Sequence, residues 1–203
     1  MLLDQYRVGP YLNFTYLVAD AEGGEGVVID PSFAIDPVLA AIDARSVKVR
    51  YILNTHSHPD HVAGNKDVRE RTGAKVVAHR VAPLHQDVSV DDGDAIAAGR
   101  LHFEVVHTPG HTKDSVLYVF EGNVATGDTL FVGECGRTDL PGGDPSEMYD
   151  SLHRRLVALD DALVVLPGHD YGATPTSTIG REKQENYVLA PRTREEFIQF
   201  LRE

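Results

Sequence analysis

Cysteine is nearly absent. The 203 residues hold one, Cys135, so no disulfide can form within the chain. That fits a reducing compartment and gives a cytoplasmic expectation. No stretch approaches the ~18 consecutive apolar residues of a membrane span. The start, Met1-Leu2-Leu3-Asp4-Gln5-Tyr6-Arg7, lacks the basic residues and long apolar run of a secretory leader. No membrane is therefore expected as a partner. Basic charge is also short: 19 Lys and Arg stand against 31 Asp and Glu, a formal net charge of −12. Without a Lys/Arg cluster to displace counterions, nucleic acid is not an expected partner either. An anionic small molecule remains compatible, because a bound metal reverses the local charge. There is no low-complexity tract, internal repeat or evident linker, so residues 1–203 read as one domain.

What is present suffices for a sizeable core: 42% of residues are apolar and 25% charged. Short apolar runs predict strands at Phe14–Ala19, Gly26–Ile29, Val49–Asn54, Lys75–Ala78 and Leu101–Val106. A hairpin is expected from Ser115–Phe120 and Val124–Thr126, and a buried strand at Leu163–Leu166. Helical spacing predicts helices over Pro37–Arg45, His61–Arg71 (ended by Gly73), Ser146–Leu159 and Thr178–Val188, with a short C-terminal helix over 193–203. Val90–Gly99 reads as turn-rich. Hairpins mixed with β-α-β units predict mixed sheets covered by helices.

The strongest local signal is Thr55-His56-Ser57-His58-Pro59-Asp60-His61, four candidate metal ligands in six residues. In extended backbone, positions i and i+2 point the same way, so His56 and His58 can reach one ion. A residue before proline favours that backbone, and Pro59 suits the start of a helix. The chain then turns, so Asp60 and His61 address a different point. Three later loops each place a ligand beside glycine after a strand: Pro109-Gly110-His111, Gly127-Asp128 and Gly168-His169. Imidazole and carboxylate donors together suit Zn, Fe, Mn or Ni. His79, His85, His102, His107 and His153 lack this context and read as surface or core residues.

This ordered set resembles the metallo-β-lactamase superfamily, from about Tyr11 to Leu189. The family pattern is His-x-His-x-Asp-His followed by a lone His, Asp and His. The resemblance implies an α/β fold of four αββα layers with the site at one edge of the two sheets. It also implies that His56, His58 and His111 hold one metal, that Asp60, His61 and His169 hold a second, and that Asp128 bridges them. Within the superfamily, Thr126-Gly127-Asp128-Thr129-Leu130-Phe131 with Gly136-Arg137 is similar to both glyoxalase II and persulfide dioxygenase. Cys135-Gly136-Arg137-Thr138-Asp139 and His169-Asp170-Tyr171 look more like the dioxygenase.

Two activities follow from that resemblance. One is hydrolysis of an S-acyl thioester or ester by a glyoxalase II-like enzyme with two divalent ions, zinc foremost and iron or manganese as alternatives. Asp60 and Asp128 would then act on the attacking water. The other is oxidation of glutathione persulfide by one Fe(II) held on His56, His111 and Asp128. Either way the expected partner is a small thioester or glutathione-type molecule. By similarity, Arg137 and Tyr171 would bind it, guanidinium being suited to a carboxylate. Longer glyoxalase II chains add a helical C-terminal domain that this sequence is not expected to contain. Cys135 reads first as a small packing residue.

Overall fold

In the computed structural model, residues 1–202 are described. Two six-stranded sheets face each other. The first runs in the order β1 (Leu2–Val8), β2 (Asn13–Ala19), β3 (Glu25–Ile29), β4 (Lys48–Leu53), β5 (Lys75–His79), β6 (Val88–Val90). The second holds β7 (Ala95–Ala98), β8 (Leu101–His107), β9 (Val116–Phe120), β10 (Asn123–Gly127), β11 (Val164–Pro167) and β12 (Ser177–Thr178), with β12 and β7 at its edges. β1–β2–β3 and β7–β8–β9–β10 are antiparallel, whereas β3–β4–β5–β6 and β10–β11 are parallel.

Side-chain alternation explains the layering. In β2, Phe14, Tyr16 and Val18 point between the sheets, where they meet Phe103, Val105, Tyr118 and Phe120. Leu17 and Ala19 point the opposite way and pack under α1 (Asp36–Ala44) and α3 (Asn65–Thr72) through Val38, Ile42 and Val68. On the far side, Leu117, Val124 and Val165 are covered by Met148, Leu152, Leu156, Ile179 and Phe197. The result is the expected αββα stack.

Several predicted boundaries differ. The helix expected over His61–Arg71 is split into α2 (Pro59–Val62) and α3. Gly64 sits at the break, where its N–H donates to Pro31 O and a Cβ would stand 2.8 Å from Ser32 O, so the chain rests directly on another backbone. β6 and β7 occupy part of the stretch read as turns; β7 is a short alanine-rich edge strand with little hydrophobic signal. β1 is an edge strand of half-buried residues and was not expected. The helix from Ser146 begins as α4 (Pro145–Asp150), then widens into a π-turn at Ser151–Arg155 and tightens at Leu156–Ala158. α5 (Ile179–Glu185) stops at Asn186, whose side chain caps the short turn Tyr187–Leu189. No helix is long and apolar enough to cross a membrane among the described residues.

The last helix, α6 (Arg194–Phe200), starts with a reciprocal capping box between Thr193 and Glu196. Arg194 pairs with both oxygens of Asp150 at 2.7 and 2.9 Å. Phe197 is fully buried and meets the edges of the Tyr149 and His153 rings. Replacing it should empty that contact. Phe197→Ala is expected to cost about 3–5 kcal/mol, read as a lower denaturation midpoint in urea.

Candidate metal centre

All four ligand-bearing segments leave the C-terminal ends of strands: β4 in one sheet, and β8, β10 and β11 in the other. The two sheets are stitched together at this edge. Tyr118 donates its phenol to Asn54 O (3.1 Å), and Tyr16 donates to Pro167 O (2.7 Å), each crossing from one sheet to the C-terminal end of a strand of the other. Backbone bonds Val116 N–H to Thr55 O and Phe14 N–H to Gly168 O, both 2.8 Å, do the same. Burial holds both phenols well above their usual pKa, so they stay neutral donors.

The motif after β4 behaves as its spacing predicts. His58 is extended (φ −60°, ψ 142°) and Pro59 opens α2. His56 Nε2 lies 3.2 Å from His58 Nδ1, and His111 Nε2 lies 2.9 Å from the same atom. Past the turn, His61 Nε2 stands 3.1 Å from His169 Nε2, with Asp60 Oδ2 at 3.6 and 3.5 Å from the two. Asp128 touches both groups: Oδ1 is 3.3 Å from His61, and Oδ2 is 3.3 Å from His169 and 3.5 Å from His111. His56–His58–His111 and Asp60–His61–His169 each bring their ligand atoms within 4.8 Å of one another. All seven sequence-predicted residues thus meet in one place. The other histidines do not: His79 stacks on His107 (4.0 Å), and His153 packs on Tyr149.

These contacts fit cations better than they fit each other. The ring nitrogens facing away from the cluster already have partners. His111 Nδ1 donates to Arg137 O (2.7 Å) and His169 Nδ1 to Tyr11 O (2.8 Å), while His61 Nδ1 donates to Asp30 Oδ2 (3.1 Å). A neutral imidazole carries one proton, so with Nδ1–H spent outward the Nε2 atoms of His111 and His169 turn lone pairs into the cluster. Asp128 Oδ1 is buried and lacks a hydrogen-bond donor among the described residues. Buried atoms left this way are costly unless something positive lies between them.

The electrostatics divide the site. Burial pushes His56 well below the ordinary histidine pKa, and its charged neighbour His61 pushes the same way. His58 is lowered for the same reasons, burial and then His111. At His61 burial also lowers the pKa, but Asp128, Asp30 and Asp60 outweigh it and lift the group to about 9. Burial would raise Asp128, yet the imidazoles of His61, His169 and His56 hold it far below the usual carboxylate range.

Two residues that position the cluster had no recognised sequence signal. Asp30, at φ +48° after β3, accepts from Thr55 N–H (2.7 Å) and Thr55 Oγ1–H (2.6 Å) as well as from His61. With its oxygens so engaged, it stands behind His61 rather than beside it as a ligand. Asn13, fully buried at the start of β2, donates to Asp60 Oδ2 at 2.9 Å. Glycine is required on both sides of Asp128: a Cβ at Gly136 would lie 2.0 Å from Asp128 O, and one at Gly168 would lie 2.3 Å from Asp128 Oδ1.

A cavity of about 940 Å³ opens in front of the cluster, reached by Arg137 and Tyr171 among others. Tyr171 stacks on the His169 ring (4.6 Å, 11°) and meets the edge of Phe131. Arg137 is exposed, and its Nε and Nη2 bind Asp139 bidentately at 2.6 Å each. Cys135 is buried, and burial pushes its thiol up to about 12, in keeping with a packing role.

The profile of the Metallo-beta-lactamase superfamily matches residues 8–169. The chain belongs to that superfamily. Among curated relatives, the hydroxyacylglutathione hydrolase of Anaeromyxobacter dehalogenans is 41% identical over 85% of this chain and 67% of its own length. The mitochondrial persulfide dioxygenase ETHE1 of Homo sapiens is 34% identical over 93% of this chain and 75% of its own. The crystal structure of ETHE1 from Myxococcus xanthus superposes with a TM-score of 0.94 at 37% identity, covering 100% of this chain and 91% of that one.

Two outcomes are expected. Asp30→Asn removes the charge that holds the His61 ring, and metal affinity should fall on the order of 10–100-fold in a chelator competition. Because the pKa of His61 is raised, the metal-free protein carries a proton there at pH 7. Metal uptake must expel it. Apparent affinity should therefore climb with pH and level off near 9, with proton release seen by calorimetry in buffers of differing ionisation heat.

Proposed function

We propose that the protein is a glyoxalase II-like hydrolase of S-acyl thioesters or esters, acting on a glutathione-type small molecule. The observation that carries this reading is the completeness of both ligand groups, His56–His58–His111 and Asp60–His61–His169, with Asp128 shared between them. Two divalent ions held there, zinc foremost, would supply a water of lowered pKa (toward ~7) and polarise the scissile carbonyl.

The chain's own residues do the rest. Asn13 fixes Asp60 by one oxygen, which leaves the other to accept the proton of the attacking water. Asp128, acceptor-only and ionised, orients that water between the two groups. The water oxygen adds to the acyl carbon, the C–S bond breaks, and the electron pair leaves on sulfur. The face of Tyr171 and the edge of Phe131 form an apolar wall beside His169 that excludes bulk water from the reacting carbon. The Arg137 pair with Asp139 does not use Nη1, which can take a substrate carboxylate.

A second reading, a persulfide dioxygenase with one Fe(II) on His56, His111 and Asp128, is favoured by one observation. The Myxococcus xanthus ETHE1 structure matches this chain end to end. Two His and one carboxylate suit such an iron.

Elemental analysis paired with two assays separates them. Hydrolysis predicts two metals per chain and cleavage of lactoylglutathione that disappears with chelator. Asp60→Asn should lower kcat by about 10²-fold or more. Absence of thioesterase activity in every metal-loaded form would remove this reading. One iron per chain with oxygen uptake on glutathione persulfide would install the second.

A further inference from the structure

The cavity in front of the metal centre contains one carboxylate that neither reading uses. Glu134 lies at the cavity wall, beside Tyr187 and Phe200, which come from the far end of the chain. Glu134 Oε1 accepts from Cys135 N–H at 2.9 Å, and Oε2 accepts from the Tyr187 phenol. Each oxygen therefore keeps a lone pair free. No Lys, Arg or His lies within ion-pair distance of it among the described residues. Arg137, the cation lining the same cavity, is turned toward Asp139 through Nε and Nη2, which leaves Nη1 open and no contact to Glu134. Arg192 lies over Phe200 at 4.3 Å and donates to Tyr187 O (2.7 Å), so it braces this wall rather than neutralising Glu134.

The surroundings are aromatic. Tyr187 and Phe200 meet edge to face at 5.5 Å, and Phe131 and Tyr171 meet likewise at 5.2 Å nearer the metal centre. A half-buried carboxylate in such walls attracts a compact cation: oxygen lone pairs supply directed acceptors, and ring faces supply further attraction. A primary ammonium, with three donors on one nitrogen, fits both free lone pairs at once. A second carboxylate on the ligand would be repelled here and drawn toward Arg137 instead. The two charged side chains thus sort the ends of a zwitterionic ligand.

We infer that Glu134, with Tyr187 and Phe200, forms a subsite for a primary ammonium group on the thiol portion of the substrate. The inference rests on the reading that the cavity takes a glutathione-type thiol derivative, and it holds for either chemistry. Burial raises the Glu134 carboxyl above its ordinary pKa, and a bound cation would relieve that cost.

The test is calorimetric binding to the metal-loaded protein at pH 7.5, with no turnover required. The probes are S-methylglutathione and its N-acetylated form, which has lost the cationic nitrogen. The wild-type protein should bind the first about tenfold more tightly than the second. Glu134→Gln keeps the shape but not the charge: its Oε1 still accepts from Cys135 N–H, and its Nε2 donates to the Tyr187 phenol oxygen instead of accepting from it, so the ratio should fall to about one. Equal affinities in the wild type, or an unchanged ratio in Glu134→Gln, would overturn the subsite alone. The wild-type comparison needs no variant, so it stands even if the substitution harms folding. Failure of the wild type to bind either probe would overturn the glutathione reading together with the subsite.

Discussion

Five imidazoles and two carboxylates crowd one edge of the two sheets, and the Oδ1 of Asp128 among them is buried without a hydrogen-bond donor among the described residues. The outward ring nitrogens of His61, His111 and His169 are each spent on an oxygen of the protein, which turns the Nε2 lone pairs of His111 and His169 toward a common space. The arrangement is expensive for a chain alone and favourable around cations. Much of the local design follows. Asp30 adopts a left-handed backbone to reach both Thr55 and His61, and Asn13 gives up a buried amide to steer Asp60. Gly136 and Gly168 stand where a Cβ would strike Asp128 and a neighbouring histidine of the cluster.

Holding that space open requires the two sheets to keep their distance. The cross-sheet phenols of Tyr16 and Tyr118 help to hold it, each tying a strand of one sheet to the backbone at a strand end of the other, just before the His/Asp loops. Both sit in the shared apolar layer with Phe14, Phe103 and Phe120. Core packing and ligand placement are therefore one problem here: the same aromatic residues fill the interior and fix the site.

The parts of this design that a linear reading could find are those encoded within a few residues. His56 and His58 are related by strand periodicity, Pro59 announces the turn, and glycine flags each later ligand. Asp30, Asn13 and Glu134 escaped because each acts through a partner elsewhere in the chain. Asp30 meets Thr55 only because β3 pairs with β4, and Asn13 meets Asp60 across 47 positions. Glu134 faces Tyr187 from 53 positions away. Elements were missed for a related reason. β1, β6 and β7 draw their stability from neighbours rather than from their own apolar content, and the helix after Pro59 breaks where Gly64 meets a distant backbone.

The bond from His111 Nδ1 to the carbonyl of Arg137 joins the His/Asp cluster to the loop that faces the cavity. That single peptide group answers to two masters. A shift of the loop to suit a different molecule tilts the ring, and a change in what the ring grips tugs the loop. Diversification of this enzyme's preferences is thereby tethered: the loop's side chains are free to vary, whereas its main chain must keep its course for the centre to remain intact.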